Sequence, residues 1–122
     1  MLRKIDCVMI RVEDPGEAAV YYSDVFGLRR LRQDETSVGL GFPDTDAELV
    51  LHCNSEIPSP VEVHYLVDDV VCSVGVLRQN GCTVLAEPFD IPIGICAVVR
   101  DPFGTPLCIL DMSKGPRQPL VD

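Results

Sequence analysis

The residues best suited to chemistry in this sequence are Glu62 and His64, which stand two positions apart in the run VEVHYLV. In an extended strand, residues at this spacing lie on the same face, about 7 Å apart. A carboxylate and an imidazole that face one cavity could remove a proton next to a carbonyl group. In the plainer interpretation, His64 is a core or rim histidine and Glu62 pairs with an arginine.

A second group of candidates lies near the start of the chain, where Arg11 shares a strand face with Cys7 and Met9. A buried guanidinium must pair with an anion, so Arg11 either anchors an anionic ligand or pairs with Glu62 or another internal acid. A reactive thiol needs a positive neighbour that lowers its pKa, and Arg11 is the only candidate near Cys7. Inert packing of this thiol is the favoured interpretation.

The cysteines give little sign of a metal site or a disulfide. The chain has six cysteines, which are scattered without a C-x-x-C pair. Most stand in apolar stretches such as GICAVV and PLCILD. This pattern is typical of small buried side chains in a reducing compartment. Neither disulfides nor a zinc-thiolate site is expected.

Composition excludes several classes of partner. The chain has 122 residues, with 10 Lys and Arg against 19 Asp and Glu, which gives a net charge of -9. Without a basic patch, binding to nucleic acid or to anionic lipid is not expected. The amino-terminal run MLRKIDCVMIRVED lacks the apolar core of a secretory signal, and no stretch approaches the ~18 apolar residues of a membrane span. A cytoplasmic globular protein is expected.

The elements that position these residues begin with a strand over 5–12, which is followed by a helix. Asp14 and Pro15 are typical of a helix start, and Gly27 of a helix end. Alternating apolar residues then predict three short strands, over 28–33, 37–42 and 47–53. His52 is expected at the surface near the end of the third of these strands.

A segment rich in proline and serine over 55–60 predicts a linker, after which the pattern restarts. A strand over 61–67 precedes a helix that opens at Asp68 and Asp69 and closes at Asn80 and Gly81. Three more strands are predicted over 82–87, 94–100 and 106–112. The run PFDIPIG between the first two holds two prolines, so an edge strand or an irregular loop is expected there.

The two halves of the chain are related. Val12-Glu13-Asp14 matches Val67-Asp68-Asp69 at an offset of 55 residues, and 42–52 aligns without a gap on 101–111 at an offset of 59. Such a repeat predicts an α+β chain of two tandem strand-helix-three-strand modules. Module one spans 4–54, the linker 55–60, module two 61–112 and a tail 113–122.

Three motifs resemble the vicinal oxygen chelate superfamily, which includes lactoylglutathione lyases, extradiol dioxygenases, fosfomycin-resistance proteins and bleomycin-resistance proteins. The motifs are RVEDPGEAAVYYSDVFGL, VHYLVDDV and DPFGTPLCIL, and the resemblance covers about 4–112. It implies a cup-shaped mixed sheet with helices on the convex face, a ligand in the concave interior, and a homodimer. Because unrelated reactions share this scaffold, the reaction stays open.

In metal-dependent members of that family, four ligands come from the first and last strands of each module. Carried over by motif, the positions fall on Cys7, Glu62, Cys108 and, for the second ligand, Leu49, or Val50 or Glu48 if a gap is allowed. Nickel, iron or manganese prefers imidazole and carboxylate ligands, and among the first assignments only Glu62 is of that kind. No family-type metal or other cofactor is therefore expected; zinc held by Cys7, Cys108 and Glu62 is the alternative.

The resemblance also assigns a largely apolar cup interior, which suits an aromatic or lipophilic small molecule. Its expected lining is Cys7, Met9, Arg11, Leu49, Leu51, Leu66, Cys108 and Leu110. Three functional classes stay open. A small-molecule-binding protein without a metal is favoured; a lyase or isomerase would use Glu62 as base, Arg11 as anion anchor and His64 as orienting donor; a regulatory module with a vestigial cup is the third.

Overall fold

Eight strands and two helices make up the described part of the chain, which in the computed structural model is residues 1–55 and 62–115. They are β1 (Lys4–Arg11), α1 (Pro15–Phe26), β2 (Arg29–Gln33), β3 (Ser37–Gly41), β4 (Glu48–His52), β5 (Val63–Leu66), α2 (Val70–Gln79), β6 (Thr83–Ile91), β7 (Gly94–Arg100) and β8 (Pro106–Leu110). The predicted α+β class is confirmed. Residues 56–60 of the predicted linker and 116–122 of the predicted tail lie outside the described residues.

The described residues divide into two compact bodies. Residues 6–55 form the first body, and residues 1–5 with 62–115 form the second body. The start of the chain joins the second body because the Arg3 N–H donates to the carbonyl of Leu66 at 2.8 Å. The Arg3 guanidinium also pairs with exposed Asp68 at 3.1 Å.

In the first body, the strand order is β2-β3-β4-β1, with β1 and β4 parallel and the other pairs antiparallel. Helix α1 lies against one face of this sheet. The buried core there is formed by Ala19, Leu28, Val38, Leu40, Leu49 and Leu51, with Val8, Ile10 and Val12 packed against it. The predicted alternation of β1 thus places its valine and isoleucine side chains in the helix-side core.

Both helices begin and end at the predicted residues. Asp14 Oδ1 accepts the Glu17 N–H at 3.1 Å, Pro15 occupies the first helical position, and Gly27 ends α1 with φ of 73°. Asp69 Oδ1 accepts the Cys72 N–H at 3.1 Å, and Asn80 follows the last residue of α2. Neither helix of the described residues has the length and apolar character that crossing a membrane requires.

In the second body, the order is β5-β8-β7-β6, with β5 and β8 parallel. Helix α2 covers one face through a core of Val67, Val70, Val74, Ala97 and Ile109. Strand β6 is longer than predicted because it continues through Pro88 to Ile91. It lies at the edge of this body's sheet with a register shift between Ala86 and Phe89, and an edge strand tolerates a proline that has no N–H to donate.

Candidate functional site

The first body presents a mixed polar and apolar surface on the side of its sheet away from the α1 core. We call this surface the first face. Strands β1 and β4 are paired so that three residues of each share it, namely Cys7 beside Glu48, Met9 beside Val50, and Arg11 beside His52. Cys7, Glu48, Val50 and His52 are buried, whereas Arg11 is exposed.

An ion pair crosses the first face between Arg32 on β2 and Glu48 on β4, where Arg32 Nη1 donates to Glu48 Oε1. The Arg32 side chain passes over β3 at Gly39. A Cβ atom at this position would lie 2.9 Å from Glu48 Oε1 and 3.1 Å from Arg32 Cγ. Glycine is therefore required for this close approach. The Glu48 side chain is only 9% exposed, and the guanidinium compensates the cost of burying its charge.

His52 also lies on the first face. The sequence predicted it at the surface, but it is buried. Burial lowers its pKa below the ordinary value, and the nearby positive charge of Arg11 lowers it further. The Asn54 N–H donates to His52 Nδ1 at 3.2 Å, so the neutral ring carries its proton on Nε2. Arg11 Nη2 donates to the Asn54 carbonyl at 3.5 Å.

The second body presents an apolar surface with a thiol pair, which we call the second face. Leu66, Val98, Leu110, Cys96 and Cys108 form its buried cluster, and buried His64 on β5 pairs in register with Cys108 on β8. The Sγ atoms of Cys96 and Cys108 lie 2.8 Å apart. The pKa of the Cys96 thiol is lowered because the hydrogen bond with Cys108 outweighs the opposing effect of burial.

Asp111 directly follows β8 and organises its end through four hydrogen bonds. Its carboxylate accepts the N–H groups of Val70 at 2.9 Å, Ile95 at 2.9 Å and Ser113 at 3.2 Å, and the hydroxyl of Ser113 at 2.8 Å. Burial alone would raise the pKa of Asp111, but these donors together lower it below the ordinary value. This charged group is therefore a structural centre of the second body that joins α2, β7 and the end of β8.

The residues of the predicted apolar lining belong partly to the first body and partly to the second body. Cys7 and Met9 share one face of β1, as its alternation predicted, and lie on the first face. Leu66, Cys108 and Leu110 lie on the second face. Leu49 and Leu51 do not belong with them, because they are buried in the helix-side core of the first body.

The error at Leu49 and Leu51 comes from the offset of 59. Met9 pairs with Val50 and His64 pairs with Cys108 in the two parallel strand pairs. Since Met9 and His64 correspond at the offset of 55, Val50 corresponds to Cys108, which makes the offset of the last strands 58. A shift of one residue moves every side chain to the opposite face.

The predicted acid and imidazole also differ in their surroundings. Glu62 precedes β5 and is exposed, whereas His64 is buried within β5. Glu48, which the sequence offered only as an alternative second metal ligand, is a buried acid of the first face. Its ion pair with Arg32 was not predicted. A usable signal was the run SVGLG of β3, since glycines within a strand mark a close approach by another group.

These residues do not fit a family-type divalent metal. The strand registers put Val50 at the second ligand position, where it offers no donor atom. Glu62 is exposed and the thiol of Cys108 is in contact with Cys96. Within residues 1–55 and 62–115, no three His, Cys, Asp or Glu side chains converge on a point that could hold an ion.

Solved structures support the fold. A structure described as NAD-dependent benzaldehyde dehydrogenase from Legionella pneumophila is 17% identical, with a TM-score of 0.70 over 88% of this chain and 98% of that chain. A Streptomyces coelicolor methylmalonyl-CoA epimerase variant with 2-nitronate-propionyl-CoA is 17% identical, with a TM-score of 0.72 over 97% and 100%. A methylmalonyl-CoA epimerase with methylmalonyl-CoA and NH4+ is 17% identical, with a TM-score of 0.71 over 95% and 100%.

No curated protein matches this sequence. The family model of the Glyoxalase/Bleomycin resistance protein/Dioxygenase superfamily matches residues 4–109. This span includes the first two motifs on which the resemblance rests, the third as far as Ile109, and every element from β1 to the greater part of β8. The chain therefore belongs to the Glyoxalase/Bleomycin resistance protein/Dioxygenase superfamily.

Proposed function

We propose that this protein binds a small, largely apolar molecule without a metal ion. The observation that carries the proposal is the set of groups at the family's ligand positions: two thiols, an exposed carboxylate and a valine. Of these, Cys108 is in contact with Cys96 and Val50 cannot ligate an ion. A site with this composition holds a ligand by packing and by a few polar groups.

The first face favours a ligand that has an apolar body and one anionic group. Met9 and Val50 provide adjacent apolar side chains on β1 and β4. The exposed guanidinium of Arg11 is next to them on β1, where it could bind a carboxylate or sulfonate. Glu48 forms an ion pair with Arg32, so its negative charge is already compensated within the chain.

A fluorescence titration with anilinonaphthalene sulfonate tests this proposal, since the probe has the expected apolar body and anionic group. We expect saturable binding that EDTA does not change and that Arg11→Gln weakens about tenfold, as for the loss of about 1.4 kcal/mol. Val20→Thr, at an exposed position of α1, is the matched control and should bind like the unmodified chain. Unsaturable binding, or binding that EDTA abolishes, would contradict the proposal.

The second candidate is an isomerase or lyase that transfers a proton. Glu48 favours it because a buried carboxylate lies beside Cys7 on the first face. The solved structures of similar fold include methylmalonyl-CoA epimerases. Catalysis next to a carbonyl would exchange the acidic proton of the substrate with solvent.

Incubation with methylmalonyl-CoA in deuterium oxide separates the two candidates. Mass spectrometry measures the incorporation of deuterium into methylmalonyl-CoA. If the protein only binds this molecule, no deuterium is incorporated. Enzymatic exchange of the α-proton that Glu48→Gln abolishes would favour the isomerase. Glu62→Gln tests the base predicted from the sequence: exchange that is unchanged in this variant would exclude Glu62 from that role.

The family resemblance also leads us to propose a homodimer. The chain has a mass of 13.4 kDa, so light scattering should give about twice this value. A mass equal to that of one chain would contradict the homodimer while leaving the binding proposal intact, because the two measurements are independent.

A further inference from the structure

The contact between Cys96 and Cys108 is the feature of the second face that small-molecule binding does not explain. The two residues are diagonal neighbours on antiparallel β7 and β8, where Cys96 pairs with Leu110 and Val98 pairs with Cys108. Both side chains belong to the same buried cluster, and their exposed fractions are 5% and 1%. The two paired strands thus place the sulfur atoms 2.8 Å apart.

We propose that Cys96 and Cys108 are a reversible dithiol-disulfide pair, a modification site in the interior of the second body. A disulfide bond is about 2.05 Å long, so its formation requires the sulfur atoms to approach by less than one ångström. Adjacent strands supply this proximity without a change of fold. The proposal differs from the expectation from sequence, which favoured inert thiols and considered other roles only for Cys7, as a reactive thiol, and for Cys7 and Cys108, as zinc ligands.

The reaction requires a two-electron oxidant of the peroxide class. One thiol loses its proton and the resulting thiolate attacks a peroxide oxygen. The O–O bond breaks, and the leaving hydroxide takes up that proton, so the products are a sulfenic acid and water. The second thiol then attacks the sulfenic sulfur, the S–O bond breaks, and the disulfide forms with release of a second water. Two S–H groups are oxidised and one peroxide is reduced, and a dithiol reductant reverses the change by exchange.

Geometry makes this pair different from the other four cysteines. Cys53 and Cys72 are exposed and Cys82 is half-buried, so reagents reach them more easily. Cys7 is buried in the first body, where its neighbour in register is Glu48. Oxidation governed by exposure would modify Cys53 and Cys72 first, whereas oxidation governed by proximity links Cys96 to Cys108.

Peptide mapping of the full chain tests the proposal. The reduced protein is exposed to hydrogen peroxide, denatured in iodoacetamide and digested, and the peptides are analysed by mass spectrometry with and without dithiothreitol. We expect a linked Cys96–Cys108 peptide, the loss of two alkylatable thiols at these positions, and their recovery after reduction. Alkylation of both residues after peroxide treatment that has oxidised Cys53 or Cys72 would overturn the proposal.

Two variants make the result specific. Cys53→Ser/Cys72→Ser/Cys82→Ser removes the accessible thiols without changing the buried pair and should still form the link. Cys96→Ser should leave Cys108 alkylatable under the same conditions. A link from Cys108 to any other cysteine, in the triple variant or in the unmodified chain, would also overturn the pairing.

Discussion

The two bodies use the same order of elements but place different chemistry on the sheet face away from the helix. In the first body this face carries a charged pair, Arg32 with Glu48, which crosses a strand at Gly39. In the second body it is apolar and carries a thiol pair. The difference shows that strand order and helix-side packing are shared, whereas the opposite faces vary and are where function must be sought.

The ends of the last strands show the same contrast. His52 ends β4 and accepts the N–H of the residue two positions later, and Asp111 follows β8 and does the same. Asp111 is a charged acceptor with three further bonds, whereas His52 has a lowered pKa and favours the neutral form. The end of β8 therefore depends on an ionised group, whereas the end of β4 does not.

Asp111→Asn should give the largest effect. An amide in place of the carboxylate removes acceptor capacity from buried donors, including the N–H groups of Val70 and Ile95. We expect the free energy of unfolding to fall by about 3 kcal/mol at neutral pH, measured by urea denaturation. The matched variant His52→Asn, which keeps an acceptor for the Asn54 N–H, should cost less than about 1.5 kcal/mol. Equal losses would contradict the contrast between the two strand ends.

The effect of Asp111→Asn should also depend on pH. Because the pKa of Asp111 is lower in the folded chain than its ordinary value of 3.8, the ionised group stabilises the fold above that value. This stabilisation is lost as the pH falls through the folded-state pKa. The difference in the free energy of unfolding between the variant and the unmodified chain should therefore be largest at neutral pH and become smaller in acid. A difference that stays constant down to strong acid would contradict this role for the charge.

Gly39→Ala should have the next largest effect. The added methyl would meet Glu48 Oε1 and the Arg32 side chain, so the ion pair must shift or break. We expect a loss of about 2 kcal/mol in the free energy of unfolding. Gly75→Ala is the control, because apart from the adjacent residues and the backbone of α2 itself no atom lies within 4 Å of its Cβ position, and alanine favours a helix by up to about 1 kcal/mol. An unchanged free energy of unfolding in Gly39→Ala would show that the ion pair of Arg32 with Glu48 does not need a glycine at this position.

Arg11→Gln should have the smallest of these effects, a change in the pKa of His52. Burial and the positive charge of Arg11 lower that pKa in the folded chain, so the unfolded chain binds more protons and stability falls as the pH drops below about 6.5. Removal of the charge should raise the pKa of His52 in an NMR titration. Arg78→Gln, at an exposed ion pair of the second body, should leave it unchanged. An unchanged pKa in Arg11→Gln would exclude this interaction.

The elements could be predicted from the sequence because their signals are local. Asp14, Pro15 and Gly27 mark α1, and the alternation of β1 and β5 separates their two faces. The pairing of side chains between strands is not local, so an offset wrong by one residue placed Leu49 and Leu51 on the wrong face. The same limit concealed the pair of Arg32 with Glu48, which depends on a glycine in the strand between them.

The central claim, a ligand site without a metal, is tested most directly by elemental analysis. The full chain is purified without chelator, dialysed against nickel, zinc, iron and manganese in separate samples, and freed of unbound ions. We expect well below one equivalent of bound metal per chain, because the residues at the ligand positions do not form a metal site. They are Cys7, Val50, exposed Glu62 and Cys108, whose thiol contacts Cys96. About one equivalent that is lost on Cys108→Ser or Glu62→Gln would contradict the claim.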